Sequence, residues 1–345
     1  MTGALKRFYR TAKSKVTSSN QHSASAGLTR EAVVWAYRLY LDREPENDRV
    51  VDEHLRKCAT TEQLRANFIY STEFREKNPS LHVPVLLGDE PAMSIEEVGT
   101  EHELQKLFDH TQSTWEEFGK REPHWSVVVS EQYQQANIQA HEKEFYQTGA
   151  QHAAQLFGSL ERNHVQHRGF KTCLDYGCGV GRITRHLAER FEKVFACDIS
   201  LSHLQCAEDY LIKENVSNVA FSHLERVGDI QTLPKVDVAY SMIVLQHNPP
   251  PVIAFIIEAL IRSLNPGGVA FFQVPTYRRG YTFSLTEYLA ERGGMEMHVL
   301  PQSKVFEIAQ RAGGRVLEVI DDTWTGLRVK EVSNTFVIQK EVTYG

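Results

Sequence analysis

Three glycines within five residues constrain this chain more than any other feature of its sequence. They lie in residues 173–184, "CLDYGCGVGRIT", directly after a short apolar run that ends in an acid. A glycine-rich turn between a buried strand and a helix lets backbone N–H groups approach a ligand, and the helix N-terminus adds a partial positive charge. The stretch therefore predicts a strand, a turn and a helix that together bind a small polar ligand.

From residue 171 onward, short β-rich runs alternate with amphipathic stretches. Helices are expected near residues 181–192, 201–214 and 250–264, and again over 303–314. The expected strands are "KTCLDYG", "EKVFACDIS", "NVAFSHL", "VDVAYSMIVL" and "GGVAFFQVP", followed by "RVLEVIDD" and "SNTFVIQK" with no helix between these last two. The alternation predicts parallel βαβ units with helices on both sheet faces. The predicted α/β sheet therefore has seven strands, is mostly parallel and closes with an antiparallel last strand.

Two common nucleotide-binding turns do not match the glycine spacing. A phosphate-binding P-loop requires Lys and then Ser or Thr after its last glycine, whereas Gly181 is followed by Arg182 and Ile183. The dinucleotide fingerprint is G-x-G-x-x-G, whereas this turn is G-x-G-x-G with Asp175 two positions upstream. An NAD-dependent oxidoreductase is the weaker alternative for this reason and because of the two terminal strands.

The segment "LDYGCGVGRIT" resembles the first motif of the class I S-adenosylmethionine-dependent methyltransferases. That motif is an acid followed by glycines at alternate positions, at the first strand-to-helix turn. The resemblance covers residues 171–340, where "DVAYSMIVLQHNPPP" and "SLNPGG" stand at the family's spacing. It implies a Rossmann-like fold, methyltransferase activity and S-adenosyl-L-methionine as the cofactor.

The resemblance also implies roles for the turn and for the tip of the second strand. Asp175 would help to hold the methionine end of the cofactor, Asp198 would accept hydrogen bonds from both ribose hydroxyls, and Ile199 would flank the adenine ring. The other residues predicted to contact the cofactor are Tyr176, Gly177, Cys178, Gly179, Gly181, Ser241 and Met242. The acid that recognises the adenine amino group is ambiguous between Glu225 and Asp229.

Two histidines are candidates for a general base. His247 follows the fourth strand at the carboxyl edge of the sheet, and the ordinary pKa of histidine suits proton removal. A structural histidine bonded to the backbone is the equal alternative for His247. His298 is the second candidate, and a structural role is its alternative. Some relatives bind a metal through a glutamate before this histidine, but Gln246 stands there, so no metal is predicted.

Two segments are expected to shape the acceptor pocket. The insertion at residues 276–302 carries Tyr277, Arg278, Arg279 and Tyr281, whose aromatic faces and positive charge suit sugars, phosphates or carboxylates. The alternative is that these arginines are solvated, as arginine pairs more often are. The helical cap at residues 94–165 would bring Trp125 of "PHWSVV" to the ligand, with a core aromatic as the alternative.

The N-terminal part divides into a tail and a small domain. Residues 1–27 form a basic, flexible tail, or alternatively a helix that contacts anionic membrane lipid peripherally. Residues 28–80 predict a small helical domain with Thr29 and Thr60 as N-caps. "YRLYLDREP" and "ATTEQLRANFIYSTEF" resemble a helical domain of unknown function attached to bacterial glycan-handling enzymes. Residues 166–345 form the cofactor-binding domain.

Composition narrows the remaining possibilities. The net charge of -6 provides no basic footprint for nucleic acid. The five cysteines form no CxxC pair and predict buried, reduced thiols, and no leader peptide or membrane span is evident, which favours a cytoplasmic protein. The predicted function is methylation of a saccharide, a lipid-linked glycan or a small metabolite at oxygen, and less readily at nitrogen. The alternative is an inactive scaffold that binds the cofactor.

Overall fold

The structure is a computed structural model that describes residues 28–78, 90–290, 295–322, 324–325 and 331–342. The chain divides into two compact units, residues 1–84 and 85–345. The predicted basic tail at residues 1–27, and with it the membrane contact, lies outside the described residues. Within the described residues, every helix is too short or too polar to cross a bilayer.

The first unit is a cluster of short helices. They are α1 (Arg30–Leu41), α2 (Asp48–Lys57), α3 (Thr61–Ile69) and α4 (Thr72–Lys77). Both predicted N-caps form, because Thr29 accepts a hydrogen bond from the backbone N–H of Ala32 and Thr60 accepts one from Gln63, each at 3.2 Å. The apolar faces of the helices meet around Tyr37, which is buried.

A helical segment precedes the sheet in the second unit. It comprises α5 (Glu101–Arg121), α6 (Pro123–Val127), α7 (Ile138–Gln147) and α8 (Gly149–Arg162). A capping box starts α5: Thr100 accepts from the N–H of Glu103, and the Glu103 carboxylate accepts from the N–H of Thr100. Proline at the first position of α6 starts the next helix at once.

The sheet has seven strands, as predicted. They are β1 (Thr172–Tyr176), β2 (Lys193–Asp198), β3 (Val219–His223), β4 (Val236–Ser241), β5 (Leu264–Arg278), β6 (Gly314–Asp322) and β7 (Glu331–Lys340). Their spatial order is β3-β2-β1-β4-β5-β7-β6, and β7 runs opposite to the other six strands. An all-parallel dinucleotide fold has no such inserted strand.

The helices between the strands are α9 (Thr184–Ala188), α10 (Leu201–Lys213), α11 (Pro250–Arg262) and α13 (Gln302–Arg311). Of these, α9 is shorter than the predicted 181–192. It starts late because Gly181 has φ +80°, outside the helical region. It stops early because the side chain of Asn218 donates to the carbonyls of Ala188 and Phe191, both at 2.9 Å, and so satisfies the helix end.

Part of the predicted insertion has secondary structure of its own. Thr282–Phe283 pairs in parallel with Ser94–Ile95, and α12 (Leu285–Ala290) follows. The pairing ties the insertion to the segment that leads into α5.

The candidate functional site lies at the edge of the large sheet where the carboxyl ends of β1, β2 and β4 adjoin. The strand order reverses between β1 and β4, and open α/β sheets bind ligands at such a point.

Candidate functional site

A cavity opens at the carboxyl ends of β1, β2 and β4, and residues of α5 and α6 also line it. Most of the predicted cofactor contacts lie on its wall. The predicted residues that line it are Asp175, Tyr176, Gly177, Cys178, Gly179, Asp198, Ile199, Met242 and His247. Both aspartates therefore face one shared hollow, as the sequence argument requires.

The glycine turn has the geometry that only glycine accommodates well. Gly177, Gly179 and Gly181 have φ values of +73°, +54° and +80°. A Cβ atom on Gly177 would lie 2.4 Å from Cγ1 of Val244, and one on Gly179 would lie 3.1 Å from Cγ2 of Val127. The turn thus needs both the left-handed backbone and the missing side chains, and it leaves the main chain bare toward the cavity.

Asp198 is fixed by the backbone on two sides. Its Oδ2 accepts from the N–H of Gly179 and its Oδ1 accepts from the N–H of Ser200, both at 2.8 Å. Each carboxylate oxygen can accept a further hydrogen bond. The side chain is therefore held in place while it retains the capacity to accept the two hydroxyls of a ribose.

Asp175 is buried deeply, with 3% of its surface exposed. Its Oδ2 accepts a hydrogen bond from the hydroxyl of Thr184 at 2.7 Å. Burial raises the pKa of Asp175 to about 7; the Thr184 hydrogen bond opposes this rise, and the charge of Asp198 adds to it. A cationic group next to this carboxyl would stabilise its ionised form.

The part of the cavity where adenine is predicted to bind is apolar on its described wall. Ile199 and Leu224 line the cavity there, whereas neither predicted acid does. Asp229 accepts from the backbone N–H groups of Glu225 and Arg226, at 2.9 and 2.8 Å, and so starts a short 3-10 helix. The side chain of Glu225 is 75% exposed. The ambiguity between the two acids thus resolves toward a structural role for Asp229.

His247 lines the cavity with both ring nitrogens already bonded. Nδ1 donates to the carbonyl of Glu296 at 2.9 Å, and Nε2 accepts from the side-chain amide of Gln246 at 3.1 Å. Burial lowers the pKa of His247 to about 4. The Trp115 ring lies edge-on to it, with 4.9 Å between ring centroids. A proton can reach Nε2 only if the Gln246 amide gives way.

Gln246 is oriented from its other side. Its Oε1 accepts from the amide of Gln273 at 3.1 Å, and Gln273 also donates to the hydroxyl of Ser333 at 2.8 Å. This chain of amides decides which end of Gln246 faces the histidine. In the part of the chain that the structure describes, no three metal-binding side chains converge, and the predicted absence of a metal stays a prediction.

The predicted acceptor residues of the insertion bond to protein groups, and none of them lines the cavity as far as the described residues go. Tyr277 donates to the carbonyl of Pro91 at 2.9 Å, and Arg278 forms an ion pair with the buried carboxylate of Glu331. The side chain of Arg279 is 62% exposed and lies 4.0 Å from Glu90. Their role in binding the acceptor stays a prediction.

His298, the second candidate base, is a buried residue of the same insertion. Its Nδ1 lies 2.8 Å from the hydroxyl of Tyr281, and its Nε2 lies 3.3 Å from a carboxylate oxygen of Glu296. Its backbone N–H donates to the carbonyl of Gln246 at 2.6 Å, next to His247. The insertion therefore supports the wall that carries His247.

Three further predicted residues lie behind the lining. Trp125 is half-buried against Phe118, while the residues after it, Ser126 and Val127, reach the cavity. Ser241 is fully buried and donates to the carbonyl of Tyr176 at 3.0 Å. Gly181 does not line the described cavity wall, and a Cβ atom on it would lie 3.2 Å from Cβ of Ala207.

Sequence reasoning missed several lining residues. Those of the helical segment are Thr111 and Trp115, and those that follow the strands include Arg182 and His203. The segment "PHWSVV" was predicted to contact the ligand, and it lines the cavity through Ser126 and Val127 rather than through Trp125. In the sequence, Arg182 stood out only as evidence against a P-loop. Its position directly after the third glycine was the available indication, because a side chain at the start of the first crossover helix lies at the carboxyl edge of the sheet.

A family model described as "Methyltransferase domain" matches residues 173–268. The ubiquinone biosynthesis O-methyltransferase of Nitrosospira multiformis is 30% identical over 171 residues, which are 47% of this chain and 70% of the relative. That of Pseudomonas fluorescens is 27% identical over 165 residues, 46% of this chain and 70% of the relative. The malonyl-[acyl-carrier protein] O-methyltransferase of Salmonella typhimurium is 33% identical over 109 residues, and the match spans 30% of this chain and 39% of that relative.

Among solved structures, magnesium protoporphyrin IX methyltransferase from Synechocystis with bound S-adenosylmethionine aligns with a TM-score of 0.47. Its sequence identity is 17%, and the alignment covers 68% of this chain and 97% of that chain.

The cavity fits the cofactor of such enzymes by its own chemistry. A bare glycine turn lets a ligand approach the main chain, one fixed carboxylate can accept a diol, and a second, buried carboxyl calls for a cation. S-Adenosylmethionine carries a ribose diol and an α-ammonium group. The residues that would hold it are the turn at residues 177–181, Asp198 and Asp175.

Proposed function

Since the chain belongs to the S-adenosylmethionine-dependent methyltransferases and S-adenosylmethionine is its cofactor, we propose that it transfers the methyl group to an oxygen atom of the acceptor. The observation that carries this proposal is the shared cavity that Asp175, Asp198 and the glycine turn line together. The choice of oxygen is supported by the relatives, which are named as O-methyltransferases in ubiquinone biosynthesis and of malonyl-acyl-carrier protein.

Two classes of acceptor molecule are compatible with the proposal. A saccharide or lipid-linked glycan is supported only by the resemblance of residues 28–80 to a domain attached to glycan-handling enzymes. A small metabolite with an acidic hydroxyl or a carboxyl group agrees with the names of the relatives. Both classes offer an oxygen nucleophile, which is the part of the acceptor that the cavity must receive.

The bound cofactor supplies a methyl group on a positively charged sulfur, so the protein has mainly to align the acceptor and to take up its proton. We infer that His247 accepts the hydrogen bond of the acceptor hydroxyl at Nε2, in place of the Gln246 amide. Nδ1 keeps its proton through the carbonyl of Glu296.

The low pKa of His247 makes it a weak base toward a free hydroxyl. The acidity of that hydroxyl rises steeply as the new C–O bond forms, so a weak base suffices when the proton leaves in or after the transition state. Because Trp115 lies against the histidine ring, it would narrow the space through which an acceptor reaches His247.

The test is a turnover assay with the full-length chain. Labelled S-adenosylmethionine is incubated with a catechol, a long-chain carboxylic acid, a hexose and a lipid extract, and mass spectrometry locates the added methyl group. The expected product is a methyl ether or ester, with one S-adenosylhomocysteine formed per methyl group transferred. Asp198→Ala is the matched control, because it should lose cofactor binding while the cavity wall near His247 stays intact.

Two outcomes would contradict the proposal. Methyl groups found only on nitrogen would refute the choice of oxygen. Cofactor binding without methyl transfer to the catechol, the carboxylic acid, the hexose or the lipid extract would favour the scaffold alternative instead.

A further inference from the structure

Arg182 is an unusual residue for its surroundings. It follows the glycine turn, is only 3% exposed, and lines the cavity. Burial lowers its pKa, and the attraction of Tyr240 and Asp175 opposes that effect. A buried guanidinium is costly unless ionic or hydrogen-bonding partners surround it.

The described partners of Arg182 are few and neutral. Its Nη1 donates to the hydroxyl of Thr148 at 3.2 Å and lies 3.4 Å from Nδ1 of His152. Burial and the charge of Arg182 lower the pKa of His152 to about 4, so the imidazole is neutral at pH 7. Nε of Arg182 has no partner among the described residues. Among the described residues, Arg182 therefore has no direct ion pair.

The acid on the same wall lacks a cation in the same way. Asp175 lines the cavity too, and the hydrogen bond recorded on its carboxyl comes from the neutral hydroxyl of Thr184. Asp175 and Arg182 line the same cavity, and among the described residues they do not form a direct ion pair, although each charge favours the ionised form of the other group. A carboxylate and a guanidinium that line one cavity without contacting each other are complementary to an α-amino acid, which carries one charge of each sign.

We propose that Arg182 binds the carboxylate of the methionine moiety of S-adenosylmethionine, while Asp175 faces its ammonium group. The proposal rests on the cofactor named above and adds the residue that recognises its anionic end. Arginine suits this task, since its planar group donates two parallel hydrogen bonds to a carboxylate. Thr148 and His152, both on or next to the start of α8, then act as positioning residues for Arg182.

A purely structural Arg182 is the competing explanation. In that case it would only tie the turn to the start of α8, and its loss would weaken binding of every adenosine ligand alike. Recognition of the carboxylate predicts instead a loss confined to ligands that carry the carboxylate.

The experiment measures binding by isothermal titration calorimetry with the full-length chain, without any turnover. The ligands are S-adenosylmethionine and decarboxylated S-adenosylmethionine, which keeps the sulfonium and the amine. For the wild type, we expect the decarboxylated ligand to bind about 10- to 100-fold more weakly, since a hydrogen-bonded charge pair is lost. For Arg182→Met, the affinity for S-adenosylmethionine should fall by about the same factor, and the two ligands should bind equally.

Two variants guard the interpretation. Arg182→Lys keeps the charge without the planar fork, so it should retain part of the preference for the carboxylate. If Arg182→Met fails to fold, the Lys variant decides by the same ligand comparison. Arg185→Met is the matched control, because Arg185 lies three residues further on, pairs with Glu214 at 3.3 Å and does not line the described cavity wall. The Arg185→Met variant should keep the full wild-type preference for S-adenosylmethionine over the decarboxylated ligand.

The remaining outcomes refute either the assignment of Arg182 or the proposed function. A variant of Arg182 that keeps the wild-type preference for the carboxylate, or one that loses both ligands equally, refutes the assignment of Arg182. A wild-type chain that binds neither ligand refutes the proposed function instead, so the two failures are distinguishable.

Discussion

Replacement of Gly177 by alanine tests whether the turn requires glycine for its backbone, for its missing side chain, or for both. Its φ of +73° costs an alanine about 1 kcal/mol. The added Cβ would lie 2.4 and 2.5 Å from Cγ1 and Cγ2 of Val244, and overpacking of this kind costs about 1–3 kcal/mol. The free energy of unfolding should therefore fall by about 2–4 kcal/mol.

A matched glycine separates the two contributions. Gly280 has the same φ of +73°, but a Cβ there would meet no atom within 4 Å. Gly280→Ala should cost only the backbone contribution, about 1 kcal/mol. Adding Val244→Ala to Gly177→Ala should recover most of the steric contribution, which appears as a coupling of about 1–3 kcal/mol in a double-mutant cycle.

Urea unfolding followed by tryptophan fluorescence measures these differences. Of the four tryptophans, only Trp35 belongs to the first unit, so the signal reports mainly on the unit that holds the turn. Equal costs for Gly177→Ala and Gly280→Ala, or no coupling between Gly177 and Val244, would refute the steric argument.

Three other perturbations address the site and its cap. Because burial raises the pKa of Asp175 to about 7, S-adenosylmethionine should bind more weakly as the pH falls below 7, and binding should release a proton. Asp175→Asn should weaken binding and abolish this pH dependence. A wild-type affinity that does not change with pH would contradict the prediction. His247→Ala should leave the dissociation constant of the cofactor unchanged and lower kcat by about 10²- to 10⁴-fold, whereas unchanged turnover would remove His247 from the mechanism. Burial opposes ionisation of Glu116, but hydrogen bonds from Ser202 and Ser200 lower its pKa to about 2. Glu116→Gln should cost about 1–3 kcal/mol of unfolding free energy at pH 7, and this difference should shrink as the pH falls from about 4.5 toward 2; a constant difference would exclude the ionised carboxylate as its source.

The sheet could be predicted from the sequence because its evidence is local. Each strand is a short apolar run, and the carboxyl ends of parallel strands meet at one edge, so Asp175 and Asp198 had to lie near each other. The same logic found His247 at the end of β4. Boundaries were less predictable, since the early end of α9 depends on Asn218, thirty residues away.

The substrate side could not be predicted in this way. Charge and aromaticity pointed to Arg278 and Tyr281, but the structure pairs them with Glu331 and His298. Whether an arginine faces solvent, a ligand or a buried acid depends on a partner far along the chain, and residue type alone does not specify that partner. Arg182 is the converse case, because a residue that looked unremarkable in sequence is buried in the cavity wall, where its Nε has no hydrogen-bond partner among the described residues.

The helical segment before the sheet has to be regarded as part of the cofactor site. The side chain of Gln112 donates to the carbonyls of Ile199 and Leu224, at 3.2 and 2.9 Å, which fixes the loops after β2 and β3. Glu116, one turn further along α5, accepts from Ser200 and Ser202 at the start of α10. These contacts hold the backbone that follows Asp198 and the two apolar residues expected at the adenine. Movement of α5 would therefore disturb the predicted ribose and adenine sites, so the affinity for the cofactor should depend on the position of this helix.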